Sequence, residues 1–230
     1  MNKKLIIIPA YNEAESIEAT IRDIQENAAG FEYIIINDCS KDDTLKICMQ
    51  NGFNVLNLPI NLGIGGAVQT GYVYAKENGY AMAVQVDADG QHDVSYLQRM
   101  ADKMEQTGSD FIIGSRFIEK EGFQSSAFRR AGISFFTGLI RVLTGVTITD
   151  PTSGFRLANR KVIERFATDY PRDYPEPESL FALLRQKYKV MEVPVVMRER
   201  QGGESSIRIR NSIYYMIKVS LAILVEWIRR

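Results

Sequence analysis

The sequence is poor in the residues that build metal cages and covalent staples. It has two cysteines, Cys39 and Cys48, and one histidine, His92. That leaves no zinc-ligand spacing and no disulfide framework, so a reducing, cytoplasmic setting is expected. Net charge is missing too: 28 basic and 28 acidic side chains cancel. No global field draws the chain onto nucleic acid, and any basic site must be local. There is no internal repeat and no linker between two cores. The first residues, Met1-Asn2-Lys3-Lys4-Leu5, run straight into a strand-like segment whose apolar run is too short for a signal peptide. What remains is an ordinary globular composition, 45% hydrophobic and 24% charged over 230 residues. Disorder is disfavoured, and one large α/β domain, alone or with a short appendage, suits that length.

Hydrophobic periodicity places the elements. Leu5-Ile6-Ile7-Ile8, stopping at Pro9, reads as a strand buried on both faces. From about Glu13 to Ala29 the spacing is helical, with Ile17, Ile21 and Ile24 on one face. Tyr33-Ile34-Ile35-Ile36 is a second buried strand, after which Asp42 or Asp43 caps a helix from Thr44 to Gln50. A third strand spans Phe53 to Leu58, a helix Gly63 to Asn78, and a fourth strand Ala81 to Val86. Ser95 is placed as the cap of a helix to Gln106, and Phe111-Ile112-Ile113 is a fifth strand. Strand and helix alternate without a break, the pattern of a parallel, doubly wound sheet. Beyond Gly114 the order loosens into helices over Arg130 to Leu143, after Asn159 and near Glu178 to Gln186, with a strand at Val190 to Val196. This half reads as a cover over the strand ends of the first.

Residues 211–230 form an apolar segment interrupted by Lys218 and Glu226. A membrane span needs about 20 mostly apolar residues and tolerates such charges poorly. Ile213, Ile217, Leu221 and Leu224 recur at helical spacing, with Tyr214, Tyr215 and Trp227 beside them. That describes an amphipathic helix at a membrane interface, with Lys218, Arg229 and Arg230 toward anionic head groups. A small membrane protein or a second copy of the chain are competing occupants of the same face.

Ligands of open parallel sheets bind beyond the carboxyl ends of the strands. Three polar clusters fall there. Pro9-Ala10-Tyr11-Asn12-Glu13 follows the first strand, and Asn37-Asp38-Cys39-Ser40 the second, with Asp42 and Asp43 close behind. Asp87-Ala88-Asp89-Gly90-Gln91-His92 follows the fourth. Any one of them reads equally as a helix cap. Together they crowd carboxylates around one crevice, where a cation relieves the repulsion. Asp87 and Asp89 alternate as the chain leaves its strand, and Gln91 adds an amide oxygen. Such hard oxygen donors suit Mg2+ or Mn2+. A lone histidine such as His92 reads as structural or substrate-contacting rather than as a ligand.

These clusters stand in order with Asn61-Leu62-Gly63-x-Gly65-Gly66-Ala67, Gly114-Ser115-Arg116, Asp150-x-x-Ser153-Gly154-Phe155-Arg156, Glu192-Val193-Pro194 and Arg200-x-x-Gly203-Glu204-Ser205. The set resembles the family-two glycosyltransferases, and within them the dolichyl-phosphate-mannose synthase-like branch and its bacterial polyprenyl-phosphate relatives. The resemblance implies a GT-A fold, an α/β domain with a mostly parallel sheet flanked by helices. That domain is placed at 1–210, with a C-terminal amphipathic helix at 211–230. By the same resemblance, Pro9, Tyr11 and Glu13 line the nucleoside pocket, and Asp38 binds base or ribose. Asp87 contacts the nucleotide or the metal, and Asp89 and Gln91 hold Mg2+ or Mn2+ on the diphosphate. Arg116 and Arg200 face phosphates, with Arg129 or Arg130 beside them, and Asp150, Ser153 and Arg156 lie on the acceptor side. The dolichyl-type pattern often places Lys after Gly-x-Ser. Here that position is Ser206, with Arg208 and Arg210 nearby.

The implied reaction is inverting sugar transfer from a nucleotide diphosphate, preferentially UDP, to a polyprenyl phosphate. That would serve cell-envelope glycan synthesis at the inner face of the membrane. A phosphate acceptor is already an anion and needs no base, so positioning by Arg116 would suffice. A saccharide hydroxyl would need one, for which Asp150 is the candidate. Glu176 and Glu178, framed by Pro175 and Pro177, read either as sugar-hydroxyl ligands or as the first turn of a helix. Two rivals stand beside this reading. A sugar-phosphate nucleotidyltransferase would carry a basic glycine-rich loop after the first strand, which Pro9-Ala10-Tyr11-Asn12-Glu13 is not. A non-catalytic sugar-nucleotide binder would have no use for the intact Asp87-x-Asp89-x-Gln91 set.

Overall fold

A computed structural model describes residues 3–119, 127–198 and 209–228. Its first half alternates β1 (Lys4–Ala10), α1 (Ile17–Asn27), β2 (Phe31–Asn37), α2 (Thr44–Gln50), β3 (Val55–Asn57), α3 (Gly63–Glu77), β4 (Met82–Gln85), α4 (Leu97–Thr107) and β5 (Phe111–Ser115). The second half adds α5 (Ala127–Thr144), β6 (Arg156–Asn159), α6 (Arg160–Thr168), α7 (Pro175–Arg185), β7 (Val190–Pro194) and α8 (Ile209–Ile228). All seven strands share one sheet, in the order β3-β2-β1-β4-β6-β5-β7. β6 runs antiparallel to both its neighbours, and every other pairing is parallel.

The β1 run is apolar throughout because both faces are covered. Leu5 and Ile7 enter one core, with α3, α5, α6, α7 and α8. Ile6 and Ile8 enter the other, with α1 and α4. Alternation along a strand divides them between the two layers. Contrary to expectation, β1 does not stop before Pro9. Pairing with β4 ends at Ile7, whose carbonyl accepts from Val86 N, while Ala10 still bonds β2 through Asp38 N. Pro9 alternates toward the β4 side after that ladder has ended, so its missing N–H costs the sheet nothing.

Three other expectations change. Asp93, not Ser95, caps the approach to α4, its carboxylate accepting from Ser95 N at 3.1 Å ahead of a 3-10 turn at Val94–Tyr96. α1 begins at Ile17 rather than near Glu13, because the amides of Glu13 and Ala14 are taken by Thr44 Oγ1 and Asp42. The second half is also more than a cover. β6 is inserted between β4 and β5, and β7 forms the edge beyond β5. α8 packs its buried Val219 and Ile223 into the core that holds Leu5 and Ile7.

Candidate active site

The loops after β1 and β2 are braced against each other before any ligand is considered. Asn12 N donates to Ser40 Oγ at 3.0 Å, and Lys41 N returns to Asn12 Oδ1 at 2.8 Å. Asn12 and Cys39 hold left-handed backbone, φ 57° and 58°. Few non-glycine residues adopt it, and the cross-bracing stabilises it here. Burial pushes the Asp42 carboxyl up. The hydroxyl and N–H of Thr44 and the N–H of Ala14 outweigh that and hold it below its ordinary value. Tyr11 stands 41% exposed on this rim, and Glu13 accepts from Ser16 Oγ at 2.8 Å.

Asp38 is almost fully buried, and both its carboxylate oxygens accept backbone amides, Leu62 N at 2.6 Å and Gly63 N at 2.9 Å. Gly63 sits at φ +76°, which favours glycine. At Gly65 an added Cβ would fall 2.1 Å from Pro171 O, so close approach of the 171–172 backbone requires that glycine. The structure thus places Asp38 as the anchor of the turn into α3, on the side of the crevice formed by β1 and β2.

The loop after β4 carries the acidic pair. Asp87 is partly exposed, and its Oδ1 accepts from Gln85 Nε2 at 3.1 Å. That fixes the Gln85 amide with its Oε1 buried and without a partner among the described residues. A Cβ on Gly154 would lie 3.3 Å from Asp87 Oδ2, so the glycine lets the carboxylate rest against the 153–155 backbone. Asp89 is nearly buried, its Oδ1 accepting Gln91 N at 3.0 Å. His92 is a structural residue. Its Nδ1 accepts from Asp87 N at 3.0 Å, which places the ring proton on Nε2, 3.7 Å from Asp87 Oδ2. Its ring stacks on Phe155 at 4.9 Å.

Sequence reasoning passed over Arg198. It bridges Asp23 on α1 at 2.7 Å and Asp93 at 2.8 Å, and its N–H donates to Gln91 O. With the His92–Met197 bridge, this clamps the far end of the acidic loop. Its signal in the sequence was slight: one arginine between a strand and a glycine-rich run.

Oxygen donors from Asp87 and Asp89 fit Mg2+ or Mn2+, which commonly take one or two carboxylates and complete the shell with phosphate and water. Among the described residues no group of three or more His, Cys, Asp or Glu side chains gathers into a metal cage.

On the opposite wall, Arg116 and Asp150 form a bidentate pair. Nε meets Oδ2 and Nη2 meets Oδ1, both at 2.7 Å, and Arg116 N adds a third bond to Oδ2 at 3.2 Å. The Asp150 side chain is 0% exposed. Asp150 is thus sealed from solvent and holds that guanidinium in one orientation. Ser153 and Arg156 are likewise bonded within the fold. Ser153 Oγ donates to Gly114 O at 2.7 Å, tying its loop to β5. Arg156 is buried and donates to the carbonyls of Pro151, Ser153 and Glu176 and to Ser179 Oγ. It bolts together β6, the 150–153 loop and α7.

Glu176 and Glu178 diverge. Burial pushes the Glu176 carboxyl up, Arg156 pulls it back and Asp87 adds to the rise. Glu178 is raised by burial and by Glu226, Asp169 and Asp173, with Lys218 opposing, and so faces α8. Both stand in the first turn of α7, behind Pro175 at its start. Arg200, Ser206 and Arg208, and the side chains of Arg129 and Arg210, lie outside the described residues.

Comparison with known proteins gives a consistent set. Residues 5–166 match the family model described as glycosyl transferase family 2. The polyprenol monophosphomannose synthase of Mycolicibacterium smegmatis is 28% identical, covering 98% of this chain and 86% of that protein. The undecaprenyl-phosphate mannosyltransferase of Micrococcus luteus is 28% identical, covering 88% of this chain and 86% of the relative. A UDP-N-acetylglucosamine–dolichyl-phosphate N-acetylglucosaminyltransferase of Methanococcus voltae is 30% identical over 85% of this chain and 86% of its own length. In fold, the chain is similar to the glucosyl-3-phosphoglycerate synthase of Mycobacterium tuberculosis in its crystal structure with Mn2+, UDP-glucose and phosphoglyceric acid. The TM-score is 0.74 at 16% identity, with 98% of this chain and 80% of that chain covered.

Proposed function

The chain belongs to glycosyl transferase family 2, and from that premise we propose that it moves a sugar, with inversion, from a nucleotide diphosphate to the phosphate of a polyprenyl-type lipid. The Asp150–Arg116 pair carries this reading. Asp150, the candidate base for an acceptor hydroxyl, is buried and committed to Arg116. A phosphate acceptor needs no such base. It needs a fixed cationic fork, which Asp150 makes of Arg116. The relatives that act on polyprenyl and dolichyl phosphates point the same way.

On the donor side, the rim around Tyr11 and Glu13 would take the nucleoside, with Asp38 shaping it through the turn into α3. UDP is the first choice of base, because the fold neighbour binds UDP-glucose and one relative is named for a UDP-sugar. Asp87 and Asp89, with Gln91, would hold Mg2+ or Mn2+, which supplies positive charge for the leaving diphosphate. Glu176, in the first turn of α7, would meet the sugar.

The acceptor would be met at a membrane surface. No helix among the described residues is long and apolar enough to cross a bilayer. On α8, however, Tyr214, Ile217, Leu221, Leu224, Val225, Trp227 and Ile228 are all exposed. The two charges within this apolar segment do not break that face. Lys218 pairs with Asp173 at 2.5 Å and Glu226 with Arg185 at 3.8 Å, both toward the protein. Lys218 is thus spent on the fold rather than offered to head groups. An uncharged stripe of this kind suits the boundary of the bilayer that presents a lipid phosphate.

The test is a screen of nucleotide sugars against undecaprenyl phosphate with Mn2+ present or chelated, read by mass spectrometry. A glycosyl-phosphoryl lipid formed only with the cation is expected. Transfer to saccharide hydroxyls without any lipid product would replace this reading with the hydroxyl-acceptor one.

A further inference from the structure

We infer that Glu192 is a positioning residue for sugar transfer, setting the direction of Arg116 through the Thr149–Asp150 corner. The inference rests on the role proposed above for Arg116. Glu192 lies on β7 opposite Ile113 of β5 and is half-buried. Its carboxylate accepts three hydrogen bonds from two consecutive residues. Thr149 N reaches Oε2 at 2.8 Å, while Thr149 Oγ1 and Asp150 N reach Oε1, each at 2.9 Å. These donors fix the backbone of the corner, and Asp150 then holds Arg116 with two charge-assisted bonds.

A second tie runs in parallel. Thr149 Oγ1 lies 2.7 Å from Ser115 Oγ, which accepts from Phe117 N at 3.3 Å. The corner is therefore bonded to Ser115, the residue before Arg116, as well as to the Arg116 guanidinium, and Ser115 Oγ in turn holds Phe117 N. A bidentate fork tolerates little rotation. Asp150 is sealed from solvent, so no water replaces a bond lost when the corner shifts. Fixing Thr149 and Asp150 from the neighbouring strand converts a side chain on a loop into one held by the sheet. A merely structural Glu192 would close the gap between β7 and the 149–150 loop and affect stability alone.

The experiment uses the full chain with Glu192→Gln and Glu192→Asp. Glu192→Gln keeps the shape but presents an amide N–H2 toward one of its three donors. The measurements are the KM for nucleotide sugar, the KM for undecaprenyl phosphate, the thermal midpoint, and calorimetric binding of farnesyl phosphate, a short soluble lipid phosphate. Glu192→Gln should raise the lipid-phosphate KM by about tenfold and weaken farnesyl phosphate binding in parallel, the donor KM moving less than about twofold. In an Arg116→Gln background the same substitution should add nothing, because the two residues act as one unit. Glu192→Asp, which keeps the charge on a shorter arm, should recover part of the loss. A lowered thermal midpoint with both KM values unchanged would overturn the inference, and so would an undiminished effect in the Arg116→Gln background. A wild-type chain that uses nucleotide sugar yet neither binds farnesyl phosphate nor glycosylates undecaprenyl phosphate would overturn the acceptor reading first, and this inference with it.

Discussion

Among single residues, the fold already makes firm use of several polar side chains around the crevice. Arg156 spends its guanidinium on three carbonyls and a hydroxyl inside the protein, and Asp38 spends both oxygens on backbone amides. Asp89 is almost as buried, and its Oδ1 accepts Gln91 N. Asp89→Asn keeps that amide-to-oxygen bond and removes the charge a cation needs. Turnover should fall about 10²–10³-fold at saturating Mn2+ while the circular-dichroism melt stays put. Near-normal turnover by Asp89→Asn in chelated buffer would remove the metal from this site. Asp87 and Asp89 were legible in the sequence, because an acidic pair leaving a buried strand has few uses besides capping a helix and binding a cation. Arg156 was not. An arginine in a motif reads as a phosphate contact until its burial is known, and burial depends on where β6 goes.

Among elements, α7 shows how two carboxylates in one helical turn acquire different environments. Glu178 faces α8, where burial and three other acidic groups raise its carboxyl. A raised carboxyl means that the folded state holds its proton more tightly than the unfolded chain does. Its contribution to stability is then fullest below the ordinary carboxylate range and is lost as pH rises through the raised value. At neutral pH the ionised group is a cost, so Glu178→Gln should melt higher than the parent. The difference should shrink as pH falls toward the ordinary range, which paired thermal melts across pH would show. A lower melt for the variant at neutral pH would mean that Lys218 outweighs the acidic neighbours. The sequence placed β1, β2, α2 and α3 well, because an unbroken run such as Leu5 to Ile8, or a glycine-marked helix start, carries its own signal. β6 gave none: Arg156-Leu157-Ala158-Asn159 has no period and begins with a charge. Its place between β4 and β5 comes from tertiary pairing alone. The Arg116–Asp150 pair was equally hidden, since 34 residues separate its members.

In the molecule as a whole, α8 does two jobs that separate substitutions can pull apart. Its inner residues Val219 and Ile223 belong to the shared core, and its outer stripe is apolar and exposed. The double substitution Ile217→Glu, Leu221→Glu should abolish flotation with anionic liposomes while leaving the melt and the donor KM unchanged. If the parent chain stays off liposomes and runs as an oligomer that the same pair dissociates, the stripe is a contact between copies instead.

The insertion of β6 also bears on how the chain reaches its fold as it is made. β4 ends at Gln85, and the strand that covers its open side starts only at Arg156. Until then a nascent chain displays an apolar edge, the kind of template on which foreign strands pair. Asp150 and the loop that holds Arg116 lie just ahead of that strand in the sequence. The loops after β1, β2 and β4 are therefore synthesised first, and the Arg116–Asp150 wall takes shape only as the sheet closes. A chain halted before β6 would carry the acidic pair with no partner wall, exposed and prone to aggregate.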